Sequence, residues 1–261
     1  MTAATKAPGK VYLVGAGPGA PDLLTLRAAR LLQSADVVFH DALVHPDTLA
    51  LAARARKVDV GKRYGKVSTE QHFINRQLVA AARTHAVVVR LKGGDPMLFG
   101  RAQEELDALA EAGIDAEVVP GVTAALAAAA SLGVSLTRRG VARTVAFLTP
   151  RVGRGESATA WLPAALGADS AILYMAAGAS REVAAALIDA GKPAATPVAL
   201  VESASLPEER RLFTTLGRLR DNDCAHAAGP VVVCIGEVFG EACAMDPAEA
   251  AEIVRRATQT R

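Results

Sequence analysis

Three short segments set glycines and polar residues at the ends of apolar runs, where a chain can hold a ligand against its own backbone. The first is VYLVGAGPGA at 11–20, in which Gly15, Gly17 and Ala20 keep the GxGxxG/A spacing of a turn that brings backbone N–H groups to a pyrophosphate at a helix N-terminus. Pro18 and Pro21 fall inside that turn and remove two of the donors such a cradle uses. From these residues alone the turn fits NAD(P), another nucleotide-like ligand, or a plain structural turn. The second segment, VVRLKGGDPMLFGR at 88–101, runs into Gly93-Gly94-Asp95-Pro96. Paired glycines let the backbone approach a ligand closely and put Asp95 at the mouth, although a tight turn with Asp95 capping the next helix would look the same. The third, VVPGVTAA at 118–125, repeats the pattern with a Pro-Gly turn and Thr123 at a helix start, where capping alone would account for the threonine.

The elements that must position these loops are short β-branched runs alternating with longer Ala/Leu-rich amphipathic runs, which predicts α/β architecture with largely parallel strands. Strands are predicted over 11–14, 36–39, 56–60, 86–91 and 117–119, and helices over 22–34, 69–83, 101–112 and 122–131. The three loops all follow strands of one sheet, so their tips are expected along one edge, lining one crevice. The polar stretch SLTRRGVAR at 135–143 breaks the pattern and is the expected linker. After it come strands over 144–148, 170–175, 196–201, 211–215 and 230–235 and helices over 158–166 and 181–190, with LPEERRLFTTL reading as one arm of an antiparallel pair and hence a mixed second sheet. The predicted organisation is a flexible N-terminus at 1–9, an N-terminal α/β domain at 10–134, the linker, a C-terminal α/β domain at 144–245, and a helix or tail at 246–261.

With 261 residues the chain is long enough for one large or two modest domains. A composition of 51% hydrophobic and 21% charged residues excludes disorder, collagen and a coiled coil. Only 4% of residues are aromatic and the net charge is +2, which disfavours nucleic-acid binding. Cys224, Cys234 and Cys243 are odd in number and widely spaced, so neither a disulfide framework nor a metal site is expected. The N-terminus lacks an apolar signal core and the longest apolar stretch, 122–134, is too short to span a bilayer, so a soluble cytoplasmic protein without membrane association is expected.

Taken together, GAGPGAPDLLTLRAARLLQSADVV at 15–38, DALV at 41–44, VGKRYGK at 60–66 with QHFIN at 71–75, the second and third loops, and GVSLTRRG at 133–140 resemble in order and spacing the tetrapyrrole methylases. The VGKR and RLKGGDP…FGR elements are most similar to its uroporphyrinogen-III C-methyltransferases. The likeness runs from 11 to 143 and continues more loosely through Tyr174-Met175 and PVALVESAS to about 238. The resemblance implies a two-domain methylase fold, not a nucleotide-binding Rossmann domain, with S-adenosylmethionine in the interdomain cleft and S-adenosylhomocysteine released. It carries cofactor contacts onto Pro18, Gly93, Gly94, Asp95, Leu98, Thr123, Ala124, Met175 and Ala204, a proton acceptor onto Asp41 and a proton donor onto Lys62. Read without the resemblance, Asp41 is a turn or helix cap and Lys62 a surface lysine.

The reaction so implied methylates uroporphyrinogen III at C2 and then C7, through precorrin-1 to precorrin-2, serving siroheme or cobalamin biosynthesis. An electron-rich pyrrole carbon meets an activated methyl group, so the protein has to supply orientation and proton handling more than covalent help. An octacarboxylate substrate calls for a basic site, and Arg63, Arg90, Arg101, Arg138, Arg139 and Arg151 are its tentative contacts, with Lys66, Lys92 and Arg143 nearby in sequence. The chain departs from many relatives at Thr149-Pro150-Arg151, where Thr-Gly-His is common, at His40 in place of tyrosine, and at Ala176 in place of glycine. No segment resembles the dehydrogenase/chelatase part of fused siroheme synthases, so oxidation and metal insertion are expected of other proteins. A homodimer is expected by resemblance. A methylase of a later precorrin and an NAD(P)-dependent oxidoreductase are the alternatives.

Overall fold

A computed structural model describes residues 7–61, 68–152, 161–221 and 229–244, and the chain divides into two compact units, Met1–Thr123 and Ala124–Arg261. In the first unit, strands β1 (Lys10–Gly15), β2 (Val37–His40), β3 (Arg56–Asp59), β4 (Val87–Lys92) and β5 (Ala116–Val119) form a sheet in the order β3-β2-β4-β1-β5. Every pairing is parallel, with Val11 opposite Val88 and Ala116, and Val37 opposite Val88 and Arg56. Parallel sheets are covered on both faces, which is why β1 and β4 read as nearly continuous apolar runs. Alternation along β1 supplies both cores: Val11 and Leu13 pack with Phe39, Leu78 and Leu109, while Val14 packs with Leu32, Val38 and Val89.

The covering helices are α1 (Leu26–Ser34), α2 (Pro46–Ala50), α3 (Ser68–Ala82) and α4 (Ala102–Glu111). The helix expected over 22–34 is broken. Pro21–Leu23 makes one 3-10 turn, Leu24 and Thr25 are extended, and α1 begins afresh with the Thr25 hydroxyl accepting from the Ala28 N–H at 3.2 Å. Threonine competes with the helix as a cap, and here it wins. Helix α2, which was not expected, is started by Pro46 in its first turn.

The second unit opens with α5 (Ala124–Leu132), followed by β6 (Val145–Leu148), α6 (Trp161–Gly167), β7 (Ser170–Tyr174), α7 (Ser180–Asp189), β8 (Pro197–Glu202), β9 (Arg210–Thr215), α8 (Leu216–Asp221), β10 (Val231–Ile235) and α9 (Gly240–Ala244). Its sheet runs β6-β7-β10-β8-β9, with β6 and β7 parallel and the other pairs antiparallel, so it is mixed as expected. The boundary between units falls at Thr123/Ala124, ahead of the 135–143 stretch expected as a linker. The reason is packing. Ala125, Ala128 and Leu132 of α5 are buried with Ile172, Val201, Cys234 and Phe239 of the second sheet. The 135–143 stretch is a turn of the same unit, closed by the Arg138–Ala142 bridge and by the Ser170 hydroxyl donating to the Leu136 carbonyl at 2.8 Å. Cys234 is buried and free, and burial pushes its thiol up to about 12; Cys243 is free too, and Cys224 lies outside the described residues. None of the described helices is long and apolar enough to cross a membrane.

Close backbone packing makes some glycines obligatory. A Cβ on Gly121 would lie 2.3 Å from the Gly94 carbonyl oxygen and 2.8 Å from the Gly15 Cα, whereas one on Gly167 would meet nothing within 4 Å. Gly121→Ala should therefore lower the unfolding free energy by about 1–3 kcal/mol, while Gly167→Ala leaves it unchanged or raised, as measured by urea denaturation of the two variants.

Candidate active site

The carboxyl ends of β1, β4 and β5 lie side by side, and their loops are bonded into one body. Gly17 N–H donates to the Gly94 carbonyl at 3.2 Å and Gly94 N–H to the Gly17 carbonyl at 2.7 Å, both residues having positive φ, +73° and +67°. The Asp95 carboxylate binds its own loop through the Met97 N–H at 2.8 Å and the third loop through the Gly121 N–H at 3.0 Å. Asp95 thus caps its own turn and ties two loops together, but it does not cap the next helix, which begins at Ala102 behind Arg101. Pro18 and Leu98 are half-buried beside it and Thr123 is buried. Because the Gly17 N–H is spent on Gly94, it is not a donor for a pyrophosphate, which removes the main support for the NAD(P) reading.

The glycines separate into two kinds. Gly15 and Gly121 are demanded by the fold, since a Cβ on either would collide with the other's backbone. Gly93 and Gly94 are not crowded: a Cβ there would meet only Leu43 Cβ at 3.5 Å and Thr123 Cα at 3.9 Å, respectively. Among the described residues only Leu43 comes within 4 Å of that Gly93 position. Gly94 has both its N–H and its carbonyl on Gly17, so it offers close approach and not hydrogen bonds; a bound group of modest size fits over such a cradle, and S-adenosylmethionine is a group of that kind.

Asp41 follows β2, with its backbone N–H on the Leu91 carbonyl of β4 at 3.3 Å. Its carboxylate pairs with Arg90 Nη2 at 2.5 Å. Arg90 and Lys92 are two residues apart on β4, hence on one face, and both are buried, with side chains 3% and 5% exposed. Glu105, in the first turn of α4 and fully buried, is the anion they share: it accepts from Arg90 Nε at 3.0 Å and from Lys92 Nζ at 3.1 Å, and with Asp41 it balances the two cations. Gln71 of α3 adds a third donor at 3.2 Å. Burial acts to lower the Arg90 guanidinium, but two anions, Asp41 and Glu105, outweigh it and hold it above its ordinary value. Burial pushes the Lys92 ammonium down, Arg90 repels it further, and its share of Glu105 does not make up the loss. A cavity of about 330 Å³ is lined by Asp41, Leu43, Gly61, Arg90, Gly100 and Arg101 among others. Leu43 is also the neighbour of Gly93, so the carboxylate cavity and the glycine cradle share a wall.

The basic residues expected to meet substrate carboxylates are divided. Arg90 is reassigned: its Nε, Nη1 and Nη2 donate to Glu105, the Leu91 carbonyl and Asp41, so its fork serves the protein. Arg101 lines the cavity in a left-handed conformation, φ +54°, and grips Glu104 with two bonds of 2.6 and 2.7 Å. Lys62, Arg63 and Lys66 lie outside the described residues. In the second unit Arg138 pairs with Glu241 at 2.8 Å, and Arg139 and Arg151 are exposed. Of the cofactor contacts expected there, Ala124 and Ala204 belong to one apolar cluster with Tyr174, whose hydroxyl accepts from the Ala125 N–H at 3.1 Å. Met175, next along, is exposed with φ +57°. Ala204 is buried between Ser203 and Ser205, both at positive φ.

Glu105 and Gln71 were not singled out from sequence. The signal for Glu105 was present: Ala102, Glu105 and Leu109 share the buried stripe of α4, and two cations on one face of an otherwise apolar strand require an anion.

Comparison with known proteins gives the family. The profile of the Tetrapyrrole (Corrin/Porphyrin) Methylases matches residues 10–220. The uroporphyrinogen-III C-methyltransferase of Pseudomonas aeruginosa is 46% identical over 231 residues, 88% of this chain and 94% of that protein. The siroheme synthase of Azotobacter vinelandii is 44% identical over 90% of this chain, which spans only 51% of that longer protein. The crystal structure of uroporphyrin-III C-methyl transferase from Thermus thermophilus, complexed with S-adenyl homocysteine, superimposes with a TM-score of 0.78 at 41% identity, covering 89% of this chain and 99% of that one. On this match over most of its length, the chain belongs to the tetrapyrrole methylase family.

Proposed function

We propose that the protein transfers methyl groups from S-adenosylmethionine to uroporphyrinogen III, first at C2 and then at C7, by way of precorrin-1 to precorrin-2. The observation that carries this reading is the shared wall at Leu43, which sets the Asp41 carboxylate beside the glycine cradle. The relatives named above support the choice of cofactor and substrate.

When bound, the cofactor supplies a sulfonium-activated methyl group, an electrophile that needs no further activation by the protein. The candidate contacts on the first unit are Pro18, Gly93, Gly94, Asp95, Leu98 and Thr123, and on the second Ala124, Met175 and Ala204. The rigid first-unit loops orient what they hold, because Asp95 and the Gly17–Gly94 pair leave them little freedom. Asp41 receives the proton that the macrocycle gives up once carbon has been methylated, and Arg90 keeps that carboxylate in place while it does so. Lys62 is the proposed proton donor, and any proton it adds to the macrocycle is matched by a second one lost, so that each methyl gained costs one proton net. Arg101, with Arg63, Arg138, Arg139 and Arg151, is proposed to meet the substrate's carboxylates, where planar forks favour bidentate pairing. A homodimer acting in the cytoplasm, feeding siroheme or cobalamin synthesis, completes the reading.

Purified protein given uroporphyrinogen III and S-adenosylmethionine should yield a product heavier by two CH2 units, each methyl having replaced a proton, with two equivalents of S-adenosylhomocysteine released. An unchanged macrocycle mass would sink the proposal. Asp41→Asn should reduce kcat by roughly 10²–10⁴-fold while calorimetric binding of S-adenosylhomocysteine is unaltered. Gly93→Ala should fold normally, because its Cβ meets only Leu43, yet weaken S-adenosylhomocysteine binding by roughly tenfold; unchanged affinity would remove Gly93 from the cradle.

A further inference from the structure

Glu105 is the one fully buried carboxylate among the described residues. It does not line the cavity that holds Asp41. Carrying a charge to 0% exposure is costly even with partners, and an apolar residue between Ala102 and Leu109 would fill the same stripe of α4 without that cost. What it touches is suggestive: Arg90 Nε at 3.0 Å, Lys92 Nζ at 3.1 and 3.2 Å, and Gln71 Nε2 at 3.2 Å. The neighbouring nitrogen of the same guanidinium, Nη2, holds Asp41, while Nη1 is fixed on the Leu91 carbonyl at 3.1 Å. A planar fork tied at three points cannot swing, so the position of Glu105 determines where Arg90 holds the Asp41 carboxylate.

We propose that Glu105 is a positioning residue for the methyl transfer: through Arg90 it orients Asp41, and with Lys92 it sets the net charge that Asp41 faces as it takes up a proton. The inference rests on the role of Asp41 proposed above. Arg90 and Lys92 against Glu105 and Asp41 make a neutral set, and removing either member that does not touch Asp41 unbalances it in a defined direction. Without Glu105 two cations face Asp41 and its hold on a proton weakens. Without Lys92 an excess anion remains and that hold strengthens. The other described titratable groups around Asp41 are unchanged by both substitutions. They are His40 of β2, whose Nδ1 lies 3.3 Å from the Asp41 carbonyl; Asp59 of β3, occupied by the Gly61 N–H; the Arg101–Glu104 pair at the start of α4; and His72 on α3, which acts on Glu104.

The test is the pH profile of kcat at saturating S-adenosylmethionine and uroporphyrinogen III. Glu105→Gln should move the acid limb down by about one pH unit and lower the plateau, and Lys92→Met should move that limb up by a similar amount. S-adenosylhomocysteine affinity should stay the same in both, which a general loosening of the unit would not allow. In an Asp41→Asn background Glu105→Gln should change the residual rate by less than about twofold, because a residue acting through Asp41 has nothing left to act on. Limbs that do not move, or move in the same direction, overturn the inference, as does a Glu105→Gln loss that multiplies with that of Asp41→Asn. If Asp41→Asn alone keeps wild-type kcat, the role of Asp41 fails and the inference with it, a result distinct from the others. Should Glu105→Gln not fold, as read by circular dichroism, Lys92→Met and Arg90→Lys take its place, the latter losing the fork and expected to show the same non-additivity with Asp41→Asn.

Discussion

Two cations on one face of β4 have to be neutralised where water does not reach, and the first unit is organised around that requirement. Moving an ion out of water costs several kcal/mol even after relaxation, and the cost is recovered only with good geometry and further hydrogen bonds. Arg90 and Lys92 meet it with one anion from α4 and one from the loop after β2. The helix must therefore bring its first turn over the end of the strand, and the chain gets there by left-handed residues at Phe99 and Arg101 just before α4. Gln71 of α3 caps the arrangement from the other side. Three elements distant in sequence are locked in register by charge, and the exposed product of that lock is a carboxylate at a cavity.

The ligand loops use a different physical device. At the carboxyl ends of parallel strands the backbone turns away and leaves a crevice, and here three neighbouring strands turn together. Gly15 and Gly121 allow two loops to pack backbone to backbone, and Asp95 bonds one to the other. The remaining pair, Gly93 and Gly94, is thereby held with open space in front of it. Rigidity comes from the glycines that are crowded, and access from those that are not. Leu43 joins this cradle to the charged cavity, so the two devices meet in one wall.

A net charge of +2 says little about such a site. Of the basic residues that the sequence offers, Arg90 and Lys92 are consumed internally, and Arg101 and Arg138 have acidic partners, whereas Arg139 and Arg151 face solvent. The same residue type thus does structural and surface work at positions that look alike in a string of letters. Burial tells them apart, and burial is a property of the packed chain.

The strands and their parallel order class were legible in the sequence because apolar runs of fixed period can bury only one way: VYLV, VVF and VVVRLK could hardly be anything but interior strands. The three glycine loops were legible as places of close backbone approach, whereas Asp41 by itself read as a turn or helix cap and took its proposed role from the family resemblance. Tertiary structure decided the rest. Thr25 split an expected helix because a cap competes locally with a continuous hydrogen-bond ladder. Helix α5 went to the second unit because its alanines find their partners in strands 43 to 109 residues further on, such as those of Ile172 and Cys234, which no local pattern encodes. Arg90 became a support and Glu105 its anchor for the same reason: charge pairing across 15 and 49 residues is set by where strands and helices come to rest. Residue type determined which groups could do chemistry, and the long-range neutralisation of buried charge determined which of them were left free to do it.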